Sequence, residues 1–120
     1  MIVVNTSLSL LVLKTREVEK LRVFYRAIGI ELVEERHGNG PRHYSGQTGG
    51  VLLEIYPLPF GDTAADTTTR LGFSVDAIDN VVESLQAIDA TIVAPPQLTE
   101  WGLRAVVRDP DGRAVELYQR

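Results

Sequence analysis

Two strands, one near the middle of the chain and one at its end, carry nearly the same alternation of apolar and polar residues. Leu53-Glu54-Ile55-Tyr56 recurs as Val115-Glu116-Leu117-Tyr118. Successive side chains point to opposite faces of a strand, so each glutamate shares a face with its tyrosine. One face of each strand is therefore predicted to pack in a core, while the other presents a carboxylate and a phenol.

The pattern before each of these strands also repeats. Apolar residues at helical spacing predict one helix over residues 17–28 and a second over residues 78–88. Ala27-Ile28 recurs as Ala87-Ile88, sixty residues later. Short alternating runs before and after each helix predict strands, which gives each half the order β-α-β-β-β. A repeat of this kind is typical of a duplicated supersecondary unit.

This repeat predicts a single α+β domain made of two β-α-β-β-β modules with pseudo-twofold symmetry. The modules span about residues 5–57 and 69–120, and residues 57–69 are predicted to link them because they show no clear period. We expect the helices on the outer faces of the sheets, whose inner faces form a concave cleft. Residues 94–100 contain two prolines and are predicted to be a loop.

The composition narrows the class of partner. The 120 residues include 12 basic and 16 acidic side chains, a net charge of −4, which argues against nucleic acid or an anionic membrane. No apolar run reaches the length needed to cross a bilayer, and the first residues lack a basic segment typical of a signal peptide. We therefore expect a cytoplasmic enzyme or binding protein.

The chain contains no cysteine. Disulfides, thiolate zinc sites, iron–sulfur clusters and a cysteine nucleophile are therefore excluded.

The alternation also assigns residues to the cleft. In the first strand of the second half, Leu71 and Phe73 suit the helix side, which leaves Arg70 on the cleft side. The sixty-residue offset gives Leu10 as its equivalent, or Ser9 if the register slips by one residue. Leu10 and Arg70 are thus expected to line the cleft with the two repeated glutamates.

These features resemble the vicinal oxygen chelate superfamily, which includes glyoxalase I, bleomycin-resistance proteins and extradiol dioxygenases. The similarity lies in the paired modules, in Phe24-Tyr25-Arg26-Ala27-Ile28-Gly29, in Asp109-Pro110-Asp111-Gly112 and in the repeated Glu-aliphatic-Tyr strand, and it covers nearly the whole chain. The resemblance implies metal ligands, where a member binds metal, on the first and last strand of each module, with histidine usual on the first and glutamate on the last. It also implies a homodimer, with modules pairing within or between chains.

This sequence keeps only half of that ligand set. Glu54 and Glu116 stand at the last-strand positions, but Leu10 cannot coordinate a metal and neither can the Arg70 guanidinium. Two carboxylates alone hold a divalent ion weakly, so a divalent-metal cofactor is weakly supported. A guanidinium beside two carboxylates can instead replace the missing cation.

His43 lies on the strand before Glu54. If the turn between these strands places His43 opposite Glu54, the imidazole is a catalytic base or a substitute metal ligand, and a slip of one residue would place Tyr44 there. The alternative is a structural histidine held by hydrogen bonds. His37, in a glycine-rich turn, is interpreted as an exposed side chain.

The first functional hypothesis is a protein that binds a small organic molecule, aromatic or cationic, without the usual metal. Tyr56, Tyr118 and Trp101 would form aromatic walls, Glu54 and Glu116 would supply polarity, and Arg70 would also bind the ligand. Trp101 could instead cover the core.

The second hypothesis is a divalent-metal-dependent lyase, isomerase or dioxygenase with Glu54, Glu116 and His43 as its catalytic or ligating groups. The third is a degenerate module that serves protein association. The alternative to any functional role of the two glutamates is that they are merely solvated on an open sheet face.

Overall fold

The computed structural model describes residues 2–61 and 64–120 of the chain. The described residues form ten elements in the following order: β1 Leu10–Thr15, α1 Val18–Ile28, β2 Val33–Glu35, β3 His43–Thr48, β4 Val51–Pro57, β5 Leu71–Val75, α2 Ile78–Ala87, β6 Thr91–Thr99, β7 Gly102–Arg108 and β8 Ala114–Gln119. Each half therefore has the order β-α-β-β-β, which confirms the α+β class and the duplicated module.

Each module builds one four-stranded sheet. The strand orders are β1-β4-β3-β2 in the first sheet and β5-β8-β7-β6 in the second, so the two sheets have the same topology. The first and last strands of each module, β1 with β4 and β5 with β8, are parallel, and the remaining pairs are antiparallel. The two glutamate-bearing strands therefore lie inside their sheets, each with a neighbour on both sides.

The two modules share one core. The aliphatic residues of the repeated strands are fully buried in both modules, at Leu53 and Ile55 and again at Val115 and Leu117. Both helices add apolar side chains to the same cluster. Glu54 and Glu116 lie one residue out of phase with these residues, so they face away from the core on the side of each sheet opposite its helix.

The helix ends differ partly from expectation. A glycine directly after the helical spacing predicts a helix end at Gly29, and Gly29 does end α1 in the left-handed conformation at φ 115°, where glycine carries no steric penalty. The sequence suggests Thr15 and Asp76 as the N-caps of α1 and α2, but this is wrong, because Glu17 and Ala77 occupy those positions without a side-chain cap. Thr15 is the last residue of β1, and its hydroxyl accepts a hydrogen bond from the Glu17 amide at 3.0 Å.

Neither helix in the described part of the chain has the length and apolarity needed to cross a membrane.

The predicted loop over residues 94–100 is wrong. Strand β6 continues through Pro95 and Pro96 to Thr99, with register shifts between Ile92 and Gln97. Proline is tolerated there because β6 is an edge strand, where an amide is not needed for pairing on both sides.

The Asp109–Gly112 segment, whose residues are typical of a turn, lies at the junction between the modules, where Asp109 and the following Arg113 are buried. Asp109, fully buried, accepts a hydrogen bond from the Tyr25 hydroxyl at 2.9 Å and pairs with the Arg113 guanidinium at 3.0 Å. Arg113 also donates to the Lys14 carbonyl of the first module at 3.0 Å, and Thr15 donates to Asp111 at 3.0 Å. Burial, followed by the charge of Asp109, raises the pKa of Tyr25, so the phenol stays neutral.

Candidate functional site

The two repeated glutamates occupy equivalent positions on the open faces of their sheets. Glu54 of β4 lies between Val12 of β1 and Ser45 of β3, and Glu116 of β8 lies between Gly72 and Val106. Their side chains are 15% and 14% exposed. Each carboxylate is thus largely screened from water and depends on its own neighbours for compensation of its charge.

In the second module, Glu116 is held by two guanidinium groups. Arg70 Nη2 donates to Oε2 at 2.9 Å, and Arg104 donates to Oε1 through Nε at 3.0 Å and through Nη2. The Tyr118 hydroxyl donates to the same oxygen at 3.1 Å. The predicted pairing of Arg70 with a repeated glutamate is therefore observed, but for Glu116 rather than for both acids.

These contacts fix the ionisation of the carboxylate. Hydrogen bonds from Arg104, followed by those from Arg70 and Tyr118, lower the pKa of Glu116 against the opposing effect of burial. The hydrogen bond between Arg104 and Glu116 likewise raises the pKa of Arg104. Glu116 is thereby kept anionic and becomes a weak base, because a lowered pKa reduces its tendency to take a proton.

A cavity of about 420 Å³ opens above this network. It is lined by Trp101, Tyr118 and the three charged groups of the network. The Arg104 guanidinium lies 5.9 Å from the centre of the Tyr118 ring, and Trp101 is 72% exposed. Trp101 thus lies at the cavity and leaves most of its surface to solvent, which excludes its alternative role as a cover for the core.

In the first module, Glu54 has a histidine as its neighbour. His43, 1% exposed, brings Nε2 to 3.7 Å from Glu54 Oε2. The expected register is wrong, because Ser45 and neither His43 nor Tyr44 is the cross-strand partner of Glu54. His43 lies two residues further along the same face, where its ring stacks on Tyr56 with centroids 4.1 Å apart.

Two further residues complete this group. Glu35 Oε2 of β2 lies 3.7 Å from His43 Nε2 and 3.3 Å from His37 Nε2. The exposed His37 folds back from the β2–β3 loop, so that its ring centre is 5.1 Å from that of His43. The first module therefore gathers two imidazoles and two carboxylates where the second gathers two guanidiniums and one carboxylate.

The residues at the metal-ligand positions implied by the resemblance do not fit a metal. Leu10 has no donor atom, and Arg70 is a permanent cation that pairs with Glu116. Glu116 already receives hydrogen bonds from three side chains, and Glu54 contacts His43 within its own module. No metal chemistry is assigned to this set.

Two residues of the site escaped the sequence interpretation. Arg104 lies two residues before Val106, the cross-strand partner of Glu116, so both side chains lie on the same face of β7. This period-two spacing was the sequence signal that could have identified Arg104. The only sequence signal that could have identified Glu35 was its position two residues before His37.

Comparisons with known proteins agree with this architecture. The family model described as Glyoxalase/Bleomycin resistance protein/Dioxygenase superfamily matches residues 7–117. No curated protein matches the sequence.

Solved structures share the fold along both chains. TnmS3, an antibiotic binding protein from Streptomyces sp. CB03234, is 24% identical with a TM-score of 0.72, over 98% of each chain. TioX from Micromonospora sp. ML1 is 23% identical with a TM-score of 0.71, over 95% of this chain and 98% of its own. Lactoylglutathione lyase from Agrobacterium tumefaciens is 18% identical with a TM-score of 0.67, over 96% and 94%. From the family match over residues 7–117, the chain belongs to the Glyoxalase/Bleomycin resistance protein/Dioxygenase superfamily.

Proposed function

We propose that this protein binds a small, flat organic anion on the open face of its second module, in a role of binding rather than catalysis. The observation that carries the proposal is the doubly paired carboxylate of Glu116 beneath a cavity walled by Trp101. The volume of about 420 Å³ lies within the usual range for small-ligand sites.

The charge of the cavity supports the class of ligand. Arg70 and Arg104 carry two positive charges against the single negative charge of Glu116, which leaves one positive charge in excess. The 68% exposed side chain of Arg70 can reach a bound molecule while its other donors hold Glu116. This balance favours an anionic or electron-rich ligand over the cationic one that the sequence suggested as an option.

The aromatic groups support a flat ligand. Trp101 offers a large exposed ring at the edge of the cavity, and Tyr118 offers a phenol whose orientation is fixed by its hydrogen bond to Glu116. A planar molecule can stack on such rings and expel water from them. A binding role also agrees with the antibiotic binding protein TnmS3, which has the same fold.

A binding role is further supported by the state of Glu116. A carboxylate with a lowered pKa and three donors is poorly suited to accept a proton from a substrate. Among the described residues, no hydrogen bond or ion pair joins Glu54 or His43 to Glu116, so the metal-dependent alternative that uses these three as common ligands has no support from their contacts.

The proposal includes a homodimer. Leu10 and Val12 lie on the same face of β1 as Glu54 and are 48% and 38% exposed, and Leu8 before them is 63% exposed. Such an apolar strip along an edge strand favours cover by another protein surface, and a second copy of the chain would provide it. Light scattering should give the mass of a dimer for the wild type and of a monomer for Leu10→Lys. Val23→Lys, at a half-exposed residue of α1, should leave the dimer intact.

Calorimetric titration with two flat probes tests the ligand class. We expect 2-naphthoate to bind at least about tenfold more tightly than 2-naphthylmethylamine, because one full charge interaction is worth about that factor. Trp101→Ala should weaken both probes roughly tenfold or more. Arg70→Ala should weaken only the carboxylate, and the control Arg26→Ala, on the exposed face of α1, should change neither affinity.

The opposite results would contradict the proposal. These are preference for the amine, absence of binding by both probes, or unchanged affinities in Trp101→Ala and Arg70→Ala.

A further inference from the structure

We infer that the first module holds a divalent transition-metal ion through Glu35, His37 and His43. These residues lie on β2, on the β2–β3 loop and on β3, away from the first and last strands where the family resemblance places ligands. The inference is independent of the proposed ligand site, which belongs to the second module.

The spacing of the donor atoms suits a common ion. One carboxylate oxygen of Glu35 lies 3.3 Å from His37 Nε2 and 3.7 Å from His43 Nε2, and the three ligand atoms all lie within 4.8 Å of one another. Donors at the usual 2.0–2.1 Å from a tetrahedral zinc ion are about 3.3 Å apart. The observed separations therefore need only small side-chain movements to enclose an ion.

The imidazole of His43 is oriented as a ligand. Its Nδ1 lies 3.3 Å from the Pro41 carbonyl, which can only accept a hydrogen bond, so a neutral His43 would carry its proton on Nδ1 and its lone pair on Nε2. A backbone carbonyl on the second nitrogen is the usual support of a metal-bound histidine. The Tyr56 hydroxyl is 3.2 Å from Nε2, but the two rings are stacked with 9° between their planes. The stacked phenol approaches Nε2 from above the ring, and an ion that binds in the ring plane would take the place of this hydrogen bond.

The surroundings of that lone pair call for a cation. Nε2 of the buried His43 lies 3.7 Å from Glu35 and 3.7 Å from Glu54, beyond hydrogen-bond distance from either carboxylate. A nitrogen lone pair that faces two carboxylates is stabilised when a positive ion enters between them.

Two hydrogen bonds hold the backbone of the loop that carries His37. The Gly40 amide donates to the His37 carbonyl at 2.9 Å, and Arg36 Nε donates to the Gly40 carbonyl at 3.0 Å. Glu35 and His43 are direct cross-strand partners. Because these positions are set by the backbone, little conformational freedom is lost when an ion binds.

The donor set selects the kind of ion. Two imidazoles and a carboxylate suit Zn²⁺, Co²⁺, Ni²⁺ or Fe²⁺, whereas Mg²⁺ and Ca²⁺ prefer all-oxygen sites. We therefore expect Zn²⁺ to bind and Mg²⁺ not to compete.

The test is calorimetric titration of the full, tag-free chain with Zn²⁺ alone. His37→Ala and Glu35→Gln should each weaken binding by at least about tenfold, since even supporting residues of metal sites are worth that factor. Asn39→Ala, in the same loop, and Glu34→Gln, on the same strand, are matched controls that should bind as the wild type does. Both His37 and Asn39 are exposed, so loss of folding does not confound the comparison.

A second measurement locates the ion. Co²⁺-loaded protein should show the intense visible absorption of a tetrahedral site, and His37→Ala should abolish it. Glu116→Gln should leave the Zn²⁺ affinity unchanged. The inference is overturned if the wild type does not bind Zn²⁺, if His37→Ala and Glu35→Gln bind it normally, or if Glu116→Gln weakens it.

Discussion

The two modules have the same strand order and a glutamate at the equivalent position, but the neighbouring side chains compensate the charge of that glutamate in different ways. Val106 faces Glu116 across β7 and β8 as Ser45 faces Glu54 across β3 and β4. The residue two positions earlier on the neighbouring strand is Arg104 in the second module and His43 in the first. A permanently charged guanidinium stands at one position and an imidazole at the other.

This difference shows which parts of a duplicated fold are constrained. The inward positions of the two repeated strands are aliphatic and buried in both modules, because they build one core. The outward position beside each acid lies outside the shared apolar core, so its chemistry can differ without loss of the fold. The comparison predicts that the modules depend on each other for stability while their open faces act separately.

The largest expected effect comes from breaking the junction that joins the modules. Arg113→Ala removes a buried cation that pairs with Asp109 and Asp111 and donates to the Lys14 carbonyl. We expect the free energy of unfolding to fall by about 3–5 kcal/mol, because the buried carboxylate of Asp109 loses its partner. Urea denaturation measures this loss, and wild type and variant should each unfold in a single transition.

Arg108→Ala is the control for that experiment. Arg108 is exposed and donates to a carbonyl of the same turn, so its removal should cost less than about 0.5 kcal/mol. Two separate unfolding transitions, or equal losses in both variants, would contradict a shared core.

A smaller effect is expected at the helix ends, where the modules also differ. Gly29 follows α1 at φ 115°, and Asp89 stands at the equivalent place after α2 with φ 58°. Both make the same pattern of backbone hydrogen bonds to the last turn. Because an L-residue is strained in this conformation, Asp89→Gly should raise the free energy of unfolding by roughly 0.5–1 kcal/mol. A thermal melt should show this as a higher melting temperature.

The reciprocal change should act in the opposite direction. Gly29→Ala should destabilise the protein by roughly 1 kcal/mol, although a Cβ there meets no neighbouring atom within 4 Å. If Gly29→Ala were neutral, backbone strain would not explain the glycine.

The smallest expected effect is the pH dependence of the partly exposed network around Glu116. Its pKa in the folded protein is lowered below the ordinary value of 4.5, so its contribution to stability is present above that pH and is lost as the pH falls through the folded pKa. The stability difference between wild type and Glu116→Gln should therefore shrink on acidification below about 4.5. About 1 M salt should also reduce it at neutral pH by screening the ion pairs. A difference that is constant with pH would show that the charge of Glu116 contributes nothing.

Much of the fold was predictable from local signals. The period-two alternation of the repeated strands, the helical spacing and the glycine after α1 each act over a few residues, so the duplicated module could be inferred from them. The Pro95-Pro96 segment was wrongly predicted as a loop because proline is unfavourable in a central strand. Only the order of strands in the sheet shows that β6 is an edge strand, where proline is tolerated.

The sequence by itself determined which residues are inward and outward, and hence that Glu54 and Glu116 lie on open faces at equivalent positions. Only the tertiary structure decided their neighbours, because cross-strand register depends on turn geometry and on the whole sheet. It placed Arg104 on Glu116 and His43 beside Glu54, and it folded His37 back onto Glu35. A strand pattern fixes a side chain's face, whereas chemistry depends on ångström-scale distances that no local pattern encodes.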